Sequence, residues 1–262
     1  MTKLFMTTAL VASIFAGTAF AQDATVPTPV ISGEVSLDFA ETTNDNYGGT
    51  MGVELGVDVT DLATIDLNFE AVDGGAVTLD TWAVGTTLGG VGVAMGDDLG
   101  LFPEAEGEQT LTAPAMTEAL RLTVGDARVA LGFTDWTSDI ADISNVQGAY
   151  TINQGAFAIT AAGDYNLDTE NTVLGGSVGT TMNDMALTGF VTYDVDAESI
   201  GYEGVVGAMG VTAYVNGNDT DALQNVGGEY EINVNGATFT AGANYNIDTE
   251  DFAPTAGISF AF

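Results

Sequence analysis

The chain has 262 residues and a formal net charge of −34, because 37 acidic residues are set against only three basic ones. So few cations cannot neutralise phosphates, which excludes a nucleic-acid-binding protein. Cysteine and histidine are both absent, which excludes disulfide-stapled scaffolds, Ser-His-Asp and Cys-His catalysis, and histidine-ligated zinc.

The amino terminus has the pattern of a secretory signal peptide. Lys3 gives a positive start, an apolar run extends from Leu4 to Phe20, and Ala19-Phe20-Ala21 has the small-x-small form of a cleavage site. We predict that residues 1–21 are removed before Gln22. A transmembrane anchor is the alternative, but the apolar run is short and ends in a cleavage site.

The remaining chain, residues 22–262, predicts a membrane barrel. It has no continuous apolar run of about 18 residues, so no membrane helix is expected. The sequence is 46% hydrophobic and 9% aromatic, which does not suit a disordered chain. A closed barrel is the remaining membrane architecture, because it pairs every backbone group between strands.

Apolar and polar residues alternate from Val30 onward, as expected for strands with one face of each kind. The alternation is clear in Glu34–Phe39, Met51–Val59 and Ile65–Glu70. We predict an all-β, transmembrane antiparallel barrel of about sixteen strands, each near the 9–11 residues that cross a bilayer. Fourteen strands is the alternative, because Gly and Thr blur the tenth and eleventh. The predicted centres are Val35, Leu55, Leu67, Asp80, Val93, Leu122, Leu131, Gly148, Ile159, Gly176, Gly189, Tyr202, Ala213, Gly228, Thr240 and Ile258.

The predicted connections alternate in length. Those after odd-numbered strands are long and acidic, including Glu41–Gly48, Asp135–Asp142, Asp164–Asn171, Asp194–Glu198, Asn216–Ala222 and Asn246–Asp251. Those after even-numbered strands are tight turns at residues 60–62, 88–90, 125–127, 153–155, 183–184, 207–208 and 235–236. Long outer loops and short periplasmic turns are typical of outer-membrane barrels, and a β-sandwich has no reason to sort its loops in this way.

The carboxyl terminus also fits a barrel. Phe262, Phe260 and Ile258 fall on one face of the last predicted strand. This strand resembles the closing strand of outer-membrane proteins, which ends in Phe and is the assembly signal that the barrel assembly machinery reads. Tyr150, Tyr165, Tyr202, Tyr230 and Tyr245 are predicted on apolar faces, mostly near strand ends, as in an aromatic girdle.

The segment Val77–Glu108 carries a more specific likeness. It resembles the general bacterial porins of the Rhodobacter type, in which a strand, a Gly-rich turn and a strand ending in Met-Gly-Asp lead into a loop that folds into the pore. Met95-Gly96-Asp97 matches that pattern, and Ile31–Val35 and the terminal Phe also fit. The resemblance implies sixteen strands, a homotrimer and a constriction loop at about residues 97–116.

The predicted pore site follows from this resemblance and from the polar faces. The constriction residues are Asp97, Asp98, Glu104, Glu106 and Glu108 of the loop, with Arg121 and Arg128 on the wall. The predicted pore lining is Glu34, Asp38, Glu54, Asp58, Asp66 and Glu70. Relatives usually set a larger basic cluster opposite the acidic loop, and two arginines cannot balance so many acids. Carboxylates lining a narrow tube favour cations.

We therefore expect a passive, cation-preferring diffusion channel for small hydrophilic solutes in the outer membrane of a Gram-negative bacterium, in contact with lipid and lipopolysaccharide. A secreted acidic β-protein for adhesion or surface coating, without a pore, is the alternative. A hydrolase is disfavoured because no motif supplies a nucleophile and a base. No firm metal site or cofactor is predicted. Ca²⁺ or Mg²⁺ at acidic loops stays open, for example at Asp219 and Asp221, although the closing Glu of a Ca²⁺ loop is missing. The acidity also suits a salt-rich habitat.

Overall fold

The computed structural model describes residues 30–41, 47–59, 63–72, 76–97, 99–102, 116, 118–134, 142–220 and 223–262. The predicted signal peptide, residues 1–21, lies outside these residues. None of the described residues forms a helix long and apolar enough to cross a membrane.

The described residues form sixteen antiparallel strands that close into one barrel, in which each strand pairs with its sequence neighbours and β1 pairs with β16. Every predicted strand centre lies within the corresponding observed strand, so the sixteen-strand prediction is confirmed and the fourteen-strand alternative is wrong. The strands are β1 Val30–Glu41, β2 Tyr47–Val59, β3 Ala63–Val72, β4 Thr78–Leu88, β5 Val91–Gly96, β6 Ala119–Val124, β7 Ala127–Phe133, β8 Ile143–Gln154, β9 Phe157–Asn166, β10 Thr172–Met182, β11 Met185–Asp194, β12 Ser199–Ala208, β13 Val211–Asn218, β14 Asn225–Val234, β15 Ala237–Asn246 and β16 Asp251–Ala261.

One end of the barrel, which we name the turn end, has two-residue turns wherever the structure describes the connection between strands. Asn183-Asp184 and Asn235-Gly236 have positive φ at both residues, as the hairpin turns that match strand twist require. The turn predicted at Gly207-Ala208 is wrong by two residues. β12 continues to Ala208, and the turn falls at Met209-Gly210, with φ of 54° and 79°.

The opposite end, which we name the loop end, carries shorter connections than the sequence predicted. Asp164, Asp194 and Asn246 were expected to open loops, but all three lie within strands, so these connections have only four or five residues. A side chain at the strand end closes each hairpin. The Oδ1 of Asn166, for example, accepts hydrogen bonds from the backbone N–H groups of Asp168 and Thr169 at 3.0 and 2.9 Å. Asp194 and Asn246 accept equivalent pairs.

The two faces of the wall have opposite chemistry. Large apolar side chains such as Leu122, Val129 and Leu174 are exposed on the outer face, where lipid would cover them. Four of the five predicted girdle tyrosines are also exposed: Tyr150, Tyr165, Tyr230 and Tyr245. The fifth, Tyr202, pairs with Val191 on the same face. Cross-strand registers place the acidic and amide side chains on the inner face.

The barrel closes at its carboxyl terminus. Val35 pairs with Phe260 and Leu37 with Ile258 across the seam between β1 and β16. Phe262 and Gly33 exchange two backbone hydrogen bonds of 3.0 and 2.9 Å. The Phe262 ring lies over Gly33, where a Cβ would come within 2.6 Å of it. The terminal aromatic residues therefore complete the last strand pair. That the barrel assembly machinery recognises them stays a prediction.

Candidate functional site

The wall opens inward after β5. Gly96 lies at the end of this strand, and its backbone is so close to β4 that a Cβ would collide with the carbonyl oxygen of Trp82. The next residue, Asp97, donates its backbone N–H to the same carbonyl at 2.7 Å. The Met-Gly-Asp sequence thus marks the position where the chain leaves the wall, because only glycine fits this approach.

The chain that follows folds into the barrel. Leu99, Leu101, Phe102 and Met116 are buried together against small side chains of the inner wall. That wall surface, which we name the alanine bed, consists of Ala119, Ala130, Ala149 and Ala162 on β6 to β9. Alanine at these positions leaves room for the loop's apolar side chains, and their burial stabilises the inward conformation. The predicted inward-folded loop is confirmed in its described parts.

One polar contact fixes the loop to the wall. Gln147 on β8 is fully buried, and its Oε1 accepts a hydrogen bond from the backbone N–H of Leu101 at 2.8 Å. The same side chain also hydrogen-bonds Asp164, which accepts a second bond of 2.8 Å from Asn145. A buried backbone donor needs such a partner, so this chain of contacts determines where the loop lies.

The two arginines are neighbours on the inner wall beside the loop. Thr123 pairs with Arg128 and Arg121 pairs with Ala130 of the alanine bed. Arg128 donates a hydrogen bond of 3.2 Å to the hydroxyl of Thr151. Arg121 lines a cavity of about 550 Å³ that extends along the wall to Asp58. Both arginines are on the polar face, as predicted.

The acids predicted to line a pore lie together on the inner faces of β1, β2 and β3. Glu34 pairs with Glu54 across the first hairpin, and Gly52 pairs with Glu70 across the second. Glu34, Asp38, Glu54 and Glu70 line one polar cavity of about 320 Å³. Asp66 and Asp58 continue the same face toward the turn end. Their role in permeation stays a prediction.

The sequence interpretation missed several inner-face carboxylates. Asp164 and Asp194 were expected in loops, while Glu203, Glu229 and Glu231 belong to β12 and β14. Glu203 is buried and accepts a hydrogen bond of 3.3 Å from Asn216. The alternation of apolar and polar residues in β12 and β14 could have assigned the three glutamates to the inner face, because each lies on the same face as the other inward residues of its strand.

Part of the predicted site lies outside the described residues. This holds for Asp98, Glu104, Glu106 and Glu108 of the loop and for Asp221 of the loop suggested for Ca²⁺. In the described part of the chain, no three acidic side chains come close enough to hold a metal ion. Asp219 is exposed, beside an Asn218 whose Oδ1 accepts the backbone N–H of Thr220.

No protein-family model and no curated protein matches the chain. Solved outer-membrane structures share its fold. A loop-deletion variant of OmpT, an outer membrane protein of Vibrio cholerae, is 13% identical with a TM-score of 0.56, covering 91% of this chain and 100% of that one. A variant of the Rh. blastica porin is 14% identical with a TM-score of 0.59, covering 90% and 100%. OmpF of Salmonella typhi is 11% identical with a TM-score of 0.58, covering 90% and 98%. At these identities, the likeness establishes the porin-like barrel fold.

Proposed function

We propose that the protein is a passive diffusion channel of the outer membrane of a Gram-negative bacterium, and that it passes small hydrophilic solutes with a preference for cations. One observation carries this proposal: a closed wall with a polar inner face and an apolar outer face is narrowed by a loop that folds inside. A barrel of this strand number leaves an aqueous channel. A channel is favoured over a hydrolase because no motif of the sequence supplies a nucleophile and a base.

The preference for cations follows from the charges on the inner face. Carboxylates are present on β1 to β3, β9, β11, β12 and β14, whereas the described cationic side chains are the neighbouring Arg121 and Arg128. A negatively charged tube with low-dielectric walls concentrates cations inside it and repels anions. The acids predicted for the constriction loop would add to this potential.

The proposal includes several partners. By its resemblance to the general porins, and to the Rhodobacter type in particular, the channel would assemble as a homotrimer. Lipid would cover the outer apolar face, and divalent cations would join loop-end carboxylates to lipopolysaccharide. The barrel assembly machinery would read the terminal strand that ends in Phe262.

Reversal potentials in planar bilayers test the selectivity. Under a KCl gradient, the wild-type protein should show a potential of the sign that K⁺ permeation produces. Replacing two lumenal acids, in the double variant Glu54→Gln and Glu70→Gln, should reduce the potential. A double variant of the loop-end acids, Asp168→Asn and Glu170→Gln, is matched in charge. It should change the potential less, because these acids lie in a hairpin at the loop end and not inside the tube that concentrates cations.

Two results would refute parts of the proposal. A reversal potential that shows anion selectivity would overturn the preference for cations. The proposal that the protein is a channel would remain valid. A protein that inserts into bilayers, shows the gel mobility shift of a folded barrel on heating, and still conducts no current would overturn the channel itself.

A further inference from the structure

The inner face is not polar throughout. Cross-strand pairing places Phe190 of β11, Val205 of β12 and Tyr214 of β13 on the lumenal side, in register with Glu203, Thr188 and Gly227 respectively. Phe102 of the inward loop continues this line, because it lies within 2.6 Å of the Cβ position of Gly175 on β10. We name these four side chains the aromatic strip.

The strip is anchored to the wall in a specific way. A Cβ on Gly227 would collide with the hydroxyl group of Tyr214, so the tyrosine leans across the neighbouring strand and lies on its backbone. The glycine makes room for the ring. The hydroxyl end of the ring therefore lies over Gly227, and the half-buried side chain is partly accessible from the lumenal side. An aromatic ring on the lumenal face can stack on a passing solute.

Negative charge surrounds these rings. Glu203 is the direct cross-strand partner of Phe190 and lies one strand from Tyr214. Glu229, which is exposed, follows Gly227 by two residues on the same face. In the sixteen-strand ring, β11 to β13 lie opposite β3 to β5, so the strip is distant from Arg121 on β6 and Arg128 on β7. The nearby acids therefore attract a cation toward the aromatic strip, and no arginine of the described residues lies beside it to oppose this attraction.

We propose that the aromatic strip is a solute-binding subsite for organic cations, namely ammonium compounds with an apolar or aromatic group. The cationic head lies between the Tyr214 ring and the carboxylate of Glu229, and the apolar group rests on Phe190 and Val205. A cation over an aromatic face is attracted by the ring quadrupole, and a carboxylate beside it adds to the attraction. The inference rests on the proposed channel function, since the strip lines the same lumen.

Block of K⁺ current in planar bilayers tests the subsite. The probes are benzyltrimethylammonium, tetramethylammonium and uncharged benzyl alcohol. Benzyltrimethylammonium should interrupt the current at a lower concentration than either of the others, because it alone joins a cation to an apolar group. Tyr214→Leu keeps an apolar side chain and removes the π face, and should raise its half-blocking concentration by roughly 2- to 30-fold. Glu229→Gln should raise it as well.

The matched control is Tyr230→Leu, which removes a tyrosine from the lipid-facing side of β14. It should leave the block unchanged, and the gel mobility shift on heating verifies that each variant is folded. Equal block of Tyr214→Leu and wild type would overturn the subsite, as would equally strong block by benzyl alcohol. Either result in a protein that conducts K⁺ leaves the channel proposal standing, whereas the absence of any conductance refutes the channel itself.

Discussion

Replacing Gln147 with leucine tests how the inward loop is held. The substitution keeps a side chain of similar size and removes the acceptor that Leu101 N–H reaches at 2.8 Å. Leaving a buried donor without its partner costs about 1–3 kcal/mol. Asp164 also loses one hydrogen bond but keeps the 2.8 Å bond from Asn145, so the wall itself should remain intact.

The expected effect is a shift of the loop away from the alanine bed. A cost of about 1–3 kcal/mol corresponds to a roughly 5- to 150-fold change in the ratio of docked to undocked loop. Single-channel recordings should show this as current noise and as visits to a larger conductance than that of the wild type. Apolar packing by Leu99, Phe102 and Met116 opposes the change, so we expect intermittent opening.

The matched control is Asn153→Leu, which introduces the same side chain on the same face of β8, at an exposed position near the turn end. It should conduct as the wild type does. A Gln147→Leu channel with the noise and conductance of wild type would refute the reasoning, because the hydrogen bond would then contribute nothing to the position of the loop.

Two further predictions concern folding. Gly96→Ala should lower the yield of folded barrel, because the added Cβ would collide with the backbone of β4. Its control is Gly148→Ala, whose Cβ would meet no atom within 4 Å and which should fold as the wild type does. Gel mobility before and after heating measures both yields, and equal yields would contradict the argument. Deleting Phe262 removes two backbone hydrogen bonds across the seam, which are worth about 1–3 kcal/mol together. The deletion should lower the temperature at which the band of the folded barrel disappears from the gel. An unchanged temperature would show that the seam does not need these two hydrogen bonds.

The fold could be predicted from the sequence because each strand lies between water and lipid. That environment requires side chains to alternate, as Glu34–Phe39 shows, and the alternation identifies strands without knowledge of their partners. Strand ends were harder to predict. Asp164 and Asp194 are typical loop residues, yet pairing with the neighbouring strands keeps both in the wall. Because the inner face of the barrel is in contact with water, polar residues occur in its strands as well as in its loops, and they do not indicate a loop.

The site was predictable only in outline. The Met-Gly-Asp sequence indicates where the loop leaves the wall, and this prediction is correct. The alanine bed gives no local signal, because alanine fits either face of a strand, and the contact between Leu101 and Gln147 joins residues 46 positions apart. Phe190 puts an apolar side chain on the inner face of β11, which further weakens the alternation of apolar and polar residues in that strand. The aromatic strip was therefore not visible in the sequence.

The position of the loop changes the interpretation of selectivity. Its described residues lie on β6 to β10, which is the side that carries both arginines. The strands that these described residues do not contact include β1 to β3 and β14, where the inner face presents carboxylates such as Glu54 and Glu229. We therefore expect the charge preference to depend on the acids of the barrel strands as well as on the acids of the loop. Neutralising the loop alone should leave a channel that still prefers cations.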